Sequence, residues 1–352
     1  AGSWGPLAGK FKPMFGGLLF WGRVGQIRLR PWKWVPGTSG DTRTVLDVTM
    51  YYAFLLALVA ALAIPLAPGT GNFRAGTEGL VGFQAGFIAS TPLIVAMVLW
   101  VLIGLRDKIV FLAARVEQYF PVLLFSVVLP VIGDYNDMII AMKFVIIGSW
   151  VCAAVSKFGR HFTQTVGPMV SNTPFWAIRP LKRAMYKNFP EDMRPSKFAS
   201  LFAHIPGTLL ELVMPLVLLF SMNTTLTWVA ALSMVAFCVF IISTFPLAVP
   251  LEWNVMFAFT AIVLFIGFPA QNGFSAFDFS QGWMGIVIAV LLLIFPVLGN
   301  IRPDLVSFLP AMRQYGGNWA TALWTFTPGA EAKLAAIKRP AKEQIEQLQG
   351  MG

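Results

Sequence analysis

An all-α, polytopic transmembrane bundle is the fold class this sequence predicts, on three observations. Hydrophobic residues make up 57% of the chain and charged residues only 12%, with a mean hydropathy of +0.71; a soluble domain carries about 25% charged residues. Eight apolar stretches each approach the roughly 20 residues needed to cross a bilayer core. When those stretches are threaded in alternation, 23 of the 26 Lys and Arg residues fall on one side, as the enrichment of basic residues in cytoplasmic loops requires.

Residues 1–45 hold Trp4, Trp21, Trp32 and Trp34 among seven Lys or Arg residues, and their apolar run from Met14 to Trp21 is too short to span. They read as an interfacial segment lying on the membrane, with a lipid-headgroup site as the alternative. The transmembrane bundle, 46–300, has its spans at about 46–67, 80–105, 109–133, 138–156, 198–221, 225–246, 250–269 and 282–300. Pro121, Pro130, Pro206 and Pro215 fall within these spans or at their ends, where neighbouring groups must satisfy the carbonyls that proline leaves free. Seven basic residues precede the first span, two lie at 106–108, eight in the loop 157–197 and six after residue 300, whereas Arg74 is the one basic residue in the outer loops. An even number of spans, about eight, therefore places both termini in the cytoplasm; the turn 247–249 has no basic residue to hold it there. Residues 301–352 form a cytoplasmic or interfacial tail whose stretch Ala330–Gln349, rich in Ala, Lys and Glu, is expected to be helical. The chain starts at Ala1 without a signal sequence, and further hydrophobic sequence is expected upstream.

The net charge of +10 is explained by anionic lipid headgroups rather than nucleic acid, because the basic residues flank apolar spans. Cys152 and Cys238 lie inside spans and read as buried apolar residues. None of the common hydrolase, nucleotide-binding or zinc motifs is present. The two histidines exclude a multi-histidine metal or haem centre within this chain; a single axial ligand to a pigment or haem remains open for His204. No metal site is predicted, and the acidic turn Asp134, Asn136, Asp137 reads as solvated.

The chemistry is expected between Lys143 and Pro215. His204, Thr208 and Glu211 are spaced by four and three residues, which puts them on one helical face. Arg115, Glu117, Lys143, His204 and Glu211 are ionisable groups inside predicted spans, where an unpaired charge costs on the order of 2.5 to 3.5 kcal/mol at mid-bilayer. The economical pairing joins Lys143 to Glu117 or Glu211. In the bland reading such a pair fixes helix register. In the sharper one, Glu211 and His204 are catalytic candidates that handle a proton, while Lys143, Arg115, Glu117, Thr208 and the loop residues Arg160 and Arg194 bind an anionic group of a substrate.

Several motifs carry a resemblance: Gly5-Pro6-Leu7, Arg28 to Pro31, Gly40-Asp41-Thr42-Arg43-Thr44 with Asp47, Arg194-Pro195-Ser196-Lys197-Phe198, Pro250-Leu-Glu-Trp-Asn254 and Tyr315-Gly-Gly-Asn-Trp-Ala-Thr321. Together they resemble a family of bacterial multi-pass membrane proteins known only as a domain of unknown function, over nearly the whole chain. The resemblance implies the bacterial cytoplasmic (inner) membrane and further hydrophobic sequence before Ala1. The Thr208-Leu-Leu-Glu211 helix followed by Pro215 also bears a distant likeness to the DoxX-like and vitamin K-dependent carboxylase-like bundles, which implies a hydrophobic substrate.

Two functions follow as expectations. The bundle binds or processes a lipid- or quinone-like molecule in a polar crevice beside Glu211 and His204. Alternatively, it is a non-catalytic accessory subunit whose surface takes lipid, carotenoid or partner helices. Membrane phospholipids are the expected partners in either case, other membrane protein subunits in the second.

Overall fold

The computed structural model of the protein describes residues 22–64, 72–77, 90–113, 116–159, 161–171, 176, 178–244, 250–302, 329 and 332–333. The chain divides into Ala1–Ala320, which holds every element named below, and Thr321–Gly352; the expected tail helix lies almost wholly outside the described residues. Among the described residues, each of the eight apolar stretches contains helix. They form α1 (Val45–Ala63), α2 (Ser90–Arg106), α3 (Lys108–Ala113) with α4 (Val116–Ile132), α5 (Tyr135–Ser156), α8 (Lys197–Phe220), α9 (Thr224–Thr244), α10 (Pro250–Thr260, continuing as a π-helical turn Ala261–Ile266) and α11 (Gly282–Ile301). Five of these runs are long and apolar enough to cross a membrane, in α1, α5, α8, α9 and α11; the apolar helices Ser90–Arg106, Tyr119–Ile132 and Trp253–Ile266 are shorter.

The predicted long loop 157–197 is instead structured: α6 (His161–Ser171), α7 (Arg179–Ala184) and an antiparallel pair, β1 (Tyr186–Asn188) and β2 (Asp192–Pro195). The fold is thus mostly helical rather than strictly all-α. Phe162, Val166 and Val170 of α6 make a small core of their own with Met185, Tyr186, Ala199 and Ala203. Apolar spacing of four along α6 creates that face; the Gly167-Pro168 pair within it reads as a breaker from sequence alone. Ser196 then caps α8, its hydroxyl accepting from the Ala199 N–H at 3.0 Å.

Two larger cores organise the bundle. In one, Tyr51, Phe54, Ala57 and Ala61 of α1 face Leu93, Ala96, Trp100 and Ile103 of α2, with the Phe54 and Trp100 rings 5.5 Å apart. The other surrounds α5, which meets α4, α8 and α11. Two thirds of the apolar window of α5 is buried (67%), against 24–28% for the other long helices, so α5 is the central column and the rest present one face to lipid.

Polar clasps close both ends of the bundle. Residues 22–44 form a strap over the start of α1, through an isolated antiparallel bridge between Ile27 and Thr42. Its Arg28 donates to both carboxylate oxygens of Asp47, at 3.2 and 2.9 Å, and to the carbonyls of Thr38, Ser39 and Gly40. Arg106 at the end of α2 also reaches Asp47 (2.6 Å), and Arg43 reaches Asp107 (2.8 Å). Asp47 meanwhile completes a capping box with Thr44. At the opposite end Arg74 binds Asp134, Asp137 and the Asp278 carbonyl, which ties together three connections. The acidic turn is therefore buried and not solvated: Asp134 is the N-cap of α5, accepting from the Asp137 N–H at 2.9 Å, and Asp137 also accepts from Ser280. Two carboxylates beside its guanidinium raise the pKa of Arg74, chiefly through the hydrogen bond to Asp134.

Candidate functional site

One set of buried polar groups on the central column recurs at every seventh residue. Asn136, Lys143, Trp150 and Lys157 are all at most 4% exposed, and a spacing of seven keeps them near one helical face. Each lysine meets a place where the facing backbone departs from α-helical geometry.

Lys143 sits beside the break in α10. After the π-helical turn, where the Gly267 N–H reaches back five residues to Ile262, the chain folds over through Gly273 at φ +84°. Lys143 Nζ donates to the Phe268 and Phe274 carbonyls at 2.7 and 2.6 Å and lies 5.4 and 6.0 Å from the Phe265 and Phe274 ring centroids. Its positive charge is thereby met by carbonyl dipoles and ring faces, so the expected pairing of Lys143 with Glu211 is replaced. Gly273 is required at this turn by its backbone angle, and a Cβ there would also meet Thr77 Cγ2 at 2.6 Å.

The partner of Glu211 is Lys157, the residue that caps the far end of α5. Both side chains are at most 5% exposed, and the ammonium lies 5.6 and 5.9 Å from the rings of Phe162 and Phe237. The break that admits this pair is the π-helical stretch Ala203–Leu209 within α8, which contains Pro206 and Gly207. Pro206 has no N–H to give to the helical ladder, and the Thr208 hydroxyl donates to the Ala203 carbonyl at 3.2 Å. Single π turns inside α-helices recur at functional sites. His204 is half-buried, with Nε2 3.5 Å from the Thr163 hydroxyl of α6 and its ring 6.4 Å from Phe162.

Glu211 is not at the middle of the bundle. Phe237, which flanks the pair, is seven residues before the end of α9, so the pair lies roughly 10 Å inside the basic end. The first two turns of α8 project past the end of α5 and pack on α6. Phe162 of α6 links the two groups, standing beside both the Lys157 ammonium and the His204 ring, while Phe237 of α9 flanks the ammonium.

Of the residues singled out from sequence, Glu211 pairs with Lys157, His204 lies against Thr163 and Phe162, Thr208 bonds the Ala203 carbonyl, and Lys143 belongs to the other break. Arg194 is on β2, exposed and bonded to Asp192, whose carboxyl that hydrogen bond and charge hold down to about 2. Arg115 and Arg160 lie outside the described residues, as does the side chain of Glu117. Sequence reasoning misses Lys157, although its spacing of fourteen from Lys143 is visible there. Among the described residues no group of three His, Cys, Asp or Glu side chains could hold a metal ion.

Five apolar helices of spanning length, joined at polar ends and enclosing buried ionic groups, define a multi-pass integral membrane protein. The chain belongs to a family described as transmembrane proteins of unknown function (DUF3556), whose profile matches residues 1–351. No curated protein and no solved structure matches it.

Proposed function

We propose that this protein binds a lipid- or quinone-like amphiphile beside the Lys157–Glu211 pair, in the half of the bilayer nearer the basic end. The observation that supports this reading is a complete ion pair buried at a helix break within a spanning helix. An intramembrane ion pair is costly to desolvate, and a register-fixing contact does not require a π turn, a half-exposed imidazole and an aromatic lining next to it. Extraction of the protein purified in mild detergent tests the reading. About one equivalent of a retained lipid or quinone is expected; a stoichiometric protein partner with no bound amphiphile would favour the accessory-subunit function instead.

In this proposal the eight helical runs all traverse a bacterial cytoplasmic membrane, the shorter three included. Support comes from the connections 72–77, 133–137, 221–223 and 268–281, which are linked by Arg74, Asn136 and Gln271 at one end. Residues 22–44 and 106–108 are clasped together at the other end, to which the chain direction of α5 also brings 157–197. The basic end then faces the cytoplasm. Cysteine labelling in intact cells checks it: a cysteine replacing exposed Phe277 should react with an impermeant thiol reagent, and one replacing exposed Lys187 should not. Labelling at 187 from outside would reverse the orientation.

A further inference from the structure

We infer that the strap of residues 22–44 is immersed in the interfacial layer of the membrane, its outward face among headgroups and upper acyl chains, with no protein covering it. The strap is inverted for a segment in water. Along its extended backbone, where successive side chains alternate sides, Ile27 and Leu29 point out and Arg28 points in: Ile27 is 72% exposed and Arg28 1%. Val24, Trp32 and Trp34 are exposed as well, Trp34 at 76%. The inward side is polar because it feeds Asp47 and the carbonyls of residues 38–40.

A lipid environment is the occupant that fits the outward side. The next exposed apolar residues along the chain, Val45 and Leu46, begin the outward stripe of α1 that runs on through Leu56, Val59 and Leu62, so the strap carries on the lipid-facing surface of a spanning helix. Trp32 and Trp34 stack at 5.8 Å, and tryptophan is enriched at the level of the headgroups. Exposed Arg23 and Lys33 supply cations for phosphate groups beside them.

The test uses the full chain in nanodiscs containing anionic phospholipid, with Cys152→Ala and Cys238→Ala as background and single nitroxide labels at Val24→Cys, Ile27→Cys, Trp34→Cys and, for comparison, Asp41→Cys. None of the first three side chains is packed in a core, so folding is not at stake at any one of them. Relaxation by dissolved oxygen should be strong and relaxation by a water-soluble nickel chelate weak at 24, 27 and 34, with the reverse at exposed Asp41. Strong nickel relaxation at 24, 27 and 34 would place the strap in water and overturn the inference. Weak relaxation by both agents would mean that protein covers it, and would overturn it equally.

Discussion

Glu211→Gln should lower the stability of the protein in detergent by on the order of 3 to 5 kcal/mol, because it leaves the Lys157 ammonium buried without its counter-charge. Adding Lys157→Met should recover most of that loss, since methionine fills similar space and removes the charge that Glu211 balanced. Adding Lys143→Met should recover nothing, because Lys143 serves the Phe268 and Phe274 carbonyls and not Glu211. On its own, Lys143→Met should cost about 1 to 3 kcal/mol for the hydrogen bond taken from the buried Phe274 carbonyl. Thermal unfolding of the four variants, followed by circular dichroism, gives the comparison; equal rescue by Lys143→Met and Lys157→Met would show that the pairing is wrong.

The second large effect is expected at Asp47. Its carboxylate accepts from Arg28 and Arg106 and completes the capping box at the start of α1. Asp47→Ala removes the carboxylate counter-charge of two guanidinium groups, one of them fully buried, and should cost on the order of 3 to 5 kcal/mol. The double variant Arg28→Met, Asp47→Leu should recover only part, because Arg106 still lacks its carboxylate. By contrast, Thr44→Ala removes one cap contact and should cost about 1 kcal/mol. A mild Asp47→Ala phenotype, near that of Thr44→Ala, would show that the strap is not held by this network.

The positions of the helices are legible in the sequence because each apolar run is close to the length of a bilayer core and few charges interrupt it. Their ends are less so. The α5 helix starts at Tyr135, three residues before the predicted Met138, because Asp134 caps it and Arg74, sixty residues away in sequence, neutralises the turn. Local composition describes a solvated acidic turn equally well.

Periodicity puts His204, Thr208 and Glu211 on one face, and Glu211 and His204 do turn toward the α5–α6 connection. It does not say which lysine meets Glu211, because that depends on how far α8 slides along α5. Lys143 and Lys157 share a face but stand about 21 Å apart along it. Composition assigns Lys157 to a loop, and a lysine in a loop draws no attention as a buried group. The heptad of Asn136, Lys143, Trp150 and Lys157 is the signal that could join them. For the same reason the strap's motifs, Arg28 to Pro31 and Gly40 to Asp47, are recognisable as a pattern while their pairing is not: Arg28–Asp47 and Arg43–Asp107 are tertiary contacts between segments far apart in the chain.

Native mass spectrometry of the protein released from nanodiscs tests the central claim most directly, with wild type set beside the folded Glu211→Gln, Lys157→Met double variant. One tightly held amphiphile is expected on the wild type, absent from the double variant even though its stability is largely restored. Equal retention of that molecule by both proteins would contradict it, and would leave the buried pair as a contact between α5 and α8 alone.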